Sequence, residues 1–299
     1  MHQSLRMNLR MKNILVRALA TVAVAAGPAL AAGGALAAGA HVPIETLPAE
    51  RGRDLVSLQN GARLFANYCL GCHSANLVRW NRLEQIGLDY LQIRDYLIFG
   101  YQKVGDTMRI AMAPSDAKAW LGKTPPDLSV ITRARTSFEF AGTDYIYTRL
   151  RGYYRDNSTP TGWNNIAYPN IGMPHVFWTL QGPREATLTE VHRHADAKGG
   201  HAGYVQTTTV FDADGNATKT ESEVQPPVTE GLTYRFRPAN VEQARQFDSD
   251  AADLVAFLHF ITDPSRSRRI EIGVWVLVFL GLFTVAAWRL NAVYWKDIR

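Results

Sequence analysis

Cys69-Leu70-Gly71-Cys72-His73 places two thiols and an imidazole within five residues, and these are the chain's two cysteines. On a helical turn, positions i and i+3 face the same side. Each thiol can therefore form a thioether with one of two porphyrin vinyl groups, while the imidazole that follows supplies a nitrogen to the iron. The run is the attachment signature of c-type haem. Other uses of the pair suit this sequence less well. A zinc site needs two more ligands, and His192, His194 and His201 sit in a polar, glycine-containing stretch that reads as a solvated loop. A thioredoxin-like pair needs a βαβ setting that is not apparent. A disulfide from i to i+3 would constrain little.

An electron carrier closed at both axial positions needs a second ligand, and methionine serves where a high potential is wanted. Of six methionines, Met1, Met7 and Met11 lie in the basic N-terminal segment, leaving Met108, Met112 and Met173. Met108 and Met112 are four apart and suit core packing. Met173 lies in Pro169-Asn170-Ile171-Gly172-Met173-Pro174, a stiff loop able to hold a sulfur in place. Met173 is favoured on these grounds, with the other two methionines and His175 open.

The elements that must position these groups begin with two apolar segments. Residues 18–40 carry no charge, are mostly Ala and Gly, follow a basic stretch ending at Arg17, and contain small-residue cleavage sites. This reads as a secretory signal over 1–40. Residues 272–288 hold 12 large apolar side chains in 17 positions, and Trp288, Tyr294 and Trp295 suit a membrane interface. A transmembrane anchor is expected over 269–295, with a cytoplasmic tail at 296–299 and an exported domain over 41–268. The formal charge of +5 resolves into +4 in residues 1–40, +4 in 264–299 and −3 in the body between. A mildly acidic body excludes a basic nucleic-acid surface.

Within the body, helices are expected at Asp54–Tyr68, Ile86–Phe99, Phe140–Arg151 and Asp248–Thr262, the last capped by Asp248 or Ser249. Asp156–Pro174 reads as loop. Tyr204–Val210 and Ala217–Glu223 flank Asp212-Ala213-Asp214-Gly215-Asn216 and predict a hairpin. The same turn lacks the spacing of a calcium loop. The fold class is mainly α: a cytochrome c-like haem domain with long loops and a small β-hairpin, plus one C-terminal transmembrane helix.

Asn67-Tyr68-Cys69-Leu70-Gly71-Cys72-His73-Ser74, then Pro125-Pro126-Asp127-Leu128-Ser129, then Arg133-Ala134-Arg135, then Ile171-Gly172-Met173-Pro174 and the anchor resemble, in that order, the cytochrome c1 family. The resemblance implies one covalently attached haem c, held by Cys69 and Cys72, with His73 and Met173 as axial ligands and Arg135 and Tyr145 near a haem propionate. The spacing from Arg135 to Tyr145 is longer than in mitochondrial relatives, and Ala119-Trp120-Leu121-Gly122 departs from their Asn-containing pattern. The resemblance further implies an electron-transfer subunit with no bond chemistry of its own, in a dimeric ubiquinol–cytochrome c reductase. Its partners would be cytochrome b, a Rieske iron–sulfur protein as donor and a cytochrome c as acceptor. The haem domain would lie on the periplasmic side of a bacterial inner membrane. Two alternatives remain: an anchored monohaem carrier feeding a terminal oxidase, and a haem enzyme or sensor with an open iron position.

Overall fold

The computed structural model describes residues 42–194 and 203–296. The signal expected at 1–40, His201 and the last residues of the tail lie outside the described residues. Helix α1 (Leu55–Leu64) starts where the Asp54 carboxylate accepts from Val56 N and Ser57 N, at 3.3 and 3.0 Å. It runs on through a π turn, Phe65–Cys69, into the cysteine motif. A short strand β1 (Ala75–Arg79) follows, then a 3₁₀ turn at Trp80–Ile86 that Gly87 ends with φ 83°. The helix expected over Ile86–Phe99 is confined to α2 (Tyr90–Tyr96), because Asp89 and Gln92 form a reciprocal capping box that fixes its start. Strand β2 (Thr107–Met108) pairs with β1 and precedes α3 (Pro114–Leu121), α4 (Ile131–Ala134) and α5 (Gly142–Arg151).

The main core forms where α1 and α7 (Val241–Thr262) cross. Phe65 and Phe257 meet with ring centroids 5.6 Å apart. Gly61 permits the approach: a Cβ there would stand 2.2 Å from the Asp253 carbonyl oxygen. Asn60 donates to both Asp250 and Asp253, at 2.9 and 2.8 Å, and Arg51 adds a contact to Asp253 at 2.8 Å. These bonds satisfy two buried carboxylates. Helix α7 begins seven residues before the expected start. Asn240 is its cap, accepting from Glu242 N and Gln243 N, while Asp248, expected to cap, is mid-helix and takes a two-pronged bond from Arg151.

The loop expected over Asp156–Pro174 contains a strand. β3 (Tyr153–Arg155) pairs antiparallel with β4 (Trp163–Asn165), and a short α6 (Trp178–Gln181) follows. The expected hairpin is present as β6 (Gly203–Phe211) and β7 (Ala217–Val224), but it is half of a larger sheet. β5 (Arg184–His194) and β8 (Gly231–Pro238) complete a four-stranded antiparallel sheet in the order β7-β6-β5-β8. His192 and His194 thus lie on a strand rather than in a loop. The Asp212 carboxylate accepts from Asp214 N, Asn216 N and Asn216 Nδ2, so the turn closes on its own donors. One face of the sheet buries Ala186 and Phe211 with Tyr154 and Ile166 in a second, smaller core. Arg184 ties it to the rest by donating to the carbonyls of Arg151 and Tyr153.

Three residues, Asp263–Ser265, separate α7 from α8 (Arg266–Tyr294). Arg269 grips both carboxylate oxygens of Asp263, at 2.6 and 2.7 Å. Residues Arg268–Tyr294 form a 27-residue apolar helix with no part of its apolar window buried in the chain. At about 1.5 Å per residue it is roughly 40 Å long, enough for the hydrocarbon core.

Candidate haem-binding site

The π turn that closes α1 sets up the motif. Leu70 N donates to Phe65 O at 3.0 Å, and Cys72 N and His73 N both reach back to Cys69 O, at 3.0 and 2.8 Å. The coil brings Cys69, buried, and Cys72, exposed, onto one turn, and both are free thiols. Burial pushes the Cys69 thiol up to about 12, so it is held as the protonated form.

His73 is half-buried, and its Nδ1 lies 2.7 Å from the Pro126 carbonyl oxygen. A carbonyl only accepts, so Nδ1 carries the proton and Nε2 keeps its lone pair. Burial lowers the His73 pKa, outweighing the upward pull of the Pro126 bond and Asp127, and the Arg149 charge lowers it further. A neutral imidazole with Nε2 bare is the form that takes a metal. Pro126 is itself strapped to the motif. Leu128 N donates to Ser74 O at 2.8 Å, Asn76 N to Asp127 Oδ2 at 2.8 Å, and Leu77 N to Ser129 Oγ at 3.0 Å. The Pro125–Ser129 segment thus sets the histidine tautomer through one backbone carbonyl.

Met173 is half-buried on a loop braced from beneath. Tyr153 Oη donates to its carbonyl at 3.1 Å. Asn164 Oδ1 accepts from Asn165 N and Asn170 N, both at 2.8 Å, and Asn165 Oδ1 accepts from Ala167 N and Tyr168 N. Asn170 takes φ 57°, a left-handed conformation that asparagine tolerates. Asp156 holds Asn164 at 2.8 Å, and Asn165 Nδ2 donates to Arg149 O at 2.7 Å, which joins the loop to α5.

The other candidates for the second ligand occupy different settings. Met108 is fully buried opposite Ala75 in the β1–β2 pair. Met112 lines a cavity of about 430 Å³ with Leu70, Gly71, Trp80 and Phe99, to which neither His73 nor Met173 contributes. His175 is buried among the rings of Tyr153, Trp163 and Phe247, at 4.5, 4.8 and 6.2 Å. Burial depresses it to about 3, so it is neutral.

Arg135 is exposed just past α4, and its backbone abuts Gly142 in the first turn of α5. Tyr145, on the next turn, is half-buried and stacks on Phe140 at 5.5 Å. Reasoning from the sequence missed Tyr153, Asp156, Asn164, Asn165 and the Pro126 carbonyl. The Asx turn in which Asp127 Oδ1 accepts from Ser129 N is legible from the Asp-Leu-Ser run, whereas the asparagine braces depend on the β3–β4 pairing. Two free thiols on one turn, an imidazole with Nε2 bare and a thioether on a braced loop fit a covalently attached haem.

The Cytochrome C1 family model matches residues 51–298. Among curated relatives, cytochrome c1 of Allochromatium vinosum is 35% identical over 251 residues, covering 82% of this chain and 86% of the relative. The ammonia monooxygenase gamma subunit of Nitrosomonas europaea is 36% identical over 257 residues, covering 86% and 89%. Cytochrome c1 of Rhodospirillum rubrum is 28% identical over 267 residues, covering 82% and 83%.

Proposed function

The chain belongs to the cytochrome c1 family, and from that premise we propose that it relays electrons from a Rieske iron–sulfur protein to a cytochrome c. It is a c-type cytochrome of a bc1-type complex, with one covalent haem c and with cytochrome b and a Rieske protein as its companions. The haem, when bound, takes up and gives back one electron at its iron. Cys69 and Cys72 would hold it by thioethers, His73 Nε2 and the Met173 sulfur would close its two faces, and Arg135 and Tyr145 would face a propionate. The haem domain would lie on the periplasmic side, carried by α8, in a dimeric assembly.

The observation that carries this reading is the His73 Nδ1 to Pro126 O bond of 2.7 Å beside two unpaired thiols. The bond leaves Nε2 as the nitrogen that would meet the iron and raises its basicity. Braces from Asn164, Asn165 and Tyr153 would hold the Met173 loop in place as the charge on the iron changes. The exposed Cys72 side leaves an edge open to a partner.

The test is an absorbance spectrum of the purified membrane protein, oxidised and reduced, with and without carbon monoxide. The expected result is a pigment that resists acidified acetone, a methionine-to-iron band when oxidised, and no carbon monoxide adduct. A ferrous protein that binds carbon monoxide would favour an enzyme or sensor instead. Copurification with a terminal oxidase, and not with cytochrome b and an iron–sulfur protein, would reassign the carrier.

A further inference from the structure

Among the described residues, Arg149 is a cation with no carboxylate partner. It is half-buried on α5, and among the described residues no carboxylate lies within ion-pair distance of it. The next arginine on the helix, Arg151, pairs with both Glu45 and Asp248. A half-buried guanidinium is commonly held by a carboxylate or phosphate, so an unpaired one points to an anion supplied from outside the chain.

Its position says which anion. Arg149 stands one turn after Tyr145, so the two share a face of α5. Its guanidinium lies 5.3 Å from the centre of the Tyr168 ring, and its carbonyl accepts from Asn165, the brace of the methionine loop. Its charge also acts on His73 and on Tyr153, which donates to the Met173 carbonyl. Arg149 is thus tied to the methionine loop and stands on the helix face that carries Tyr145. The thiols that would take the vinyl groups lie on the cysteine turn, outside α5. A haem attached there by its vinyl groups brings two anions of its own, the propionate carboxylates, at its other edge.

We propose that Arg149 is a haem-binding residue that pairs with a propionate and, through its positive charge beside the iron, raises the reduction potential. This rests on the reading of a covalent haem closed by His73 and Met173. A cation near the iron favours the ferrous state, which carries one less positive charge.

The test uses the unmodified complex with Arg149→Leu, Arg149→Gln and Arg149→Lys. Covalent haem and the oxidised methionine-to-iron band are scored first, then midpoint potentials are titrated from pH 6 to 9. Arg149→Leu is expected to retain attached haem while its reduction equilibrium constant falls about tenfold, equal to about 59 mV for one electron. Arg149→Lys, which keeps the charge but not the planar stack on Tyr168, is expected to recover most of that shift. A packing role alone would lower thermal stability and leave the potential in place. A fall of less than threefold for Arg149→Leu at every pH would overturn the proposal. Should that variant fail to mature, Arg149→Gln is judged by the same threshold. Absence of covalent haem from the unmodified protein would sink the underlying reading instead, so the two failures are distinct.

Discussion

Asp156 is 4% exposed and satisfies both its oxygens locally, accepting from Ser158 N, Ser158 Oγ and Asn164 Nδ2. Burial alone would raise its pKa, but the Ser158 and Asn164 donors outweigh it and hold the carboxyl below its ordinary 3.8. A depressed carboxyl contributes stability that is present above the unfolded pKa and is lost as pH falls through the folded one. Asp156→Ala should therefore cost about 1–3 kcal/mol near neutrality by leaving buried donors unpaired. In denaturant titrations, its deficit relative to the unmodified protein should shrink once pH drops below about 3.8; a pH-independent deficit would contradict this. Nearer the iron, Met173→Leu should keep the covalent haem, admit carbon monoxide and depress the reduction equilibrium on the order of a hundredfold, about 120 mV for one electron. Met108→Leu and Met112→Leu should also keep the haem but neither admit carbon monoxide nor shift the potential, and potentiometry of the three variants decides the assignment. The cysteine motif is legible in the primary structure because its spacing is local. Asn164 and Asn165 are not, since they act beside the β3–β4 pair by accepting from loop N–H groups that no residue pattern announces.

At the scale of elements, the crossing of α1 and α7 matters most, because α1 delivers the cysteine motif. Gly61→Ala would put a methyl group 2.2 Å from the Asp253 carbonyl and 2.6 Å from Phe257 Cβ. Backbone cannot yield as a flexible side chain does, so the helices must part, at a cost of about 1–3 kcal/mol or more. Gly71→Ala meets nothing within 4 Å and serves as the control. Thermal melts should separate the two, and equal midpoints would refute the tight crossing. The apolar periodicity of α1 and the last turns of α7 disclosed both helices in advance. The extra two turns of α7 did not declare themselves, because Val241–Phe247 is largely polar and is fixed by its Asn240 cap and by contacts with α6, such as Gln243 to the Thr179 carbonyl at 2.9 Å. β5 alternates Thr, Glu and Arg with few large apolar residues, whereas β8 carries a period-two signal in Leu232, Tyr234 and Phe236. Leu188, Tyr234 and Phe236 pack with Ala186 and Phe211 on the inner face.

For the whole molecule, charge and anchorage set the terms of encounter. The body between residues 41 and 263 carries a net −3, which would steer a basic acceptor modestly. Stopped-flow electron transfer to a basic cytochrome c should slow several-fold between about 0.01 and 0.1 M ionic strength, as the Debye length contracts from about 30 to 10 Å. A flat salt profile would rule the steering out. The anchor was readable from composition alone, since a helix apolar on every face has few other homes. How it joins the domain was not readable, because it depends on the doubly bonded contact between Arg269 and Asp263 across a three-residue link that includes Pro264. So short a link leaves few backbone torsions between the stalk and the domain it carries, and the Arg269 contact to Asp263 spans it.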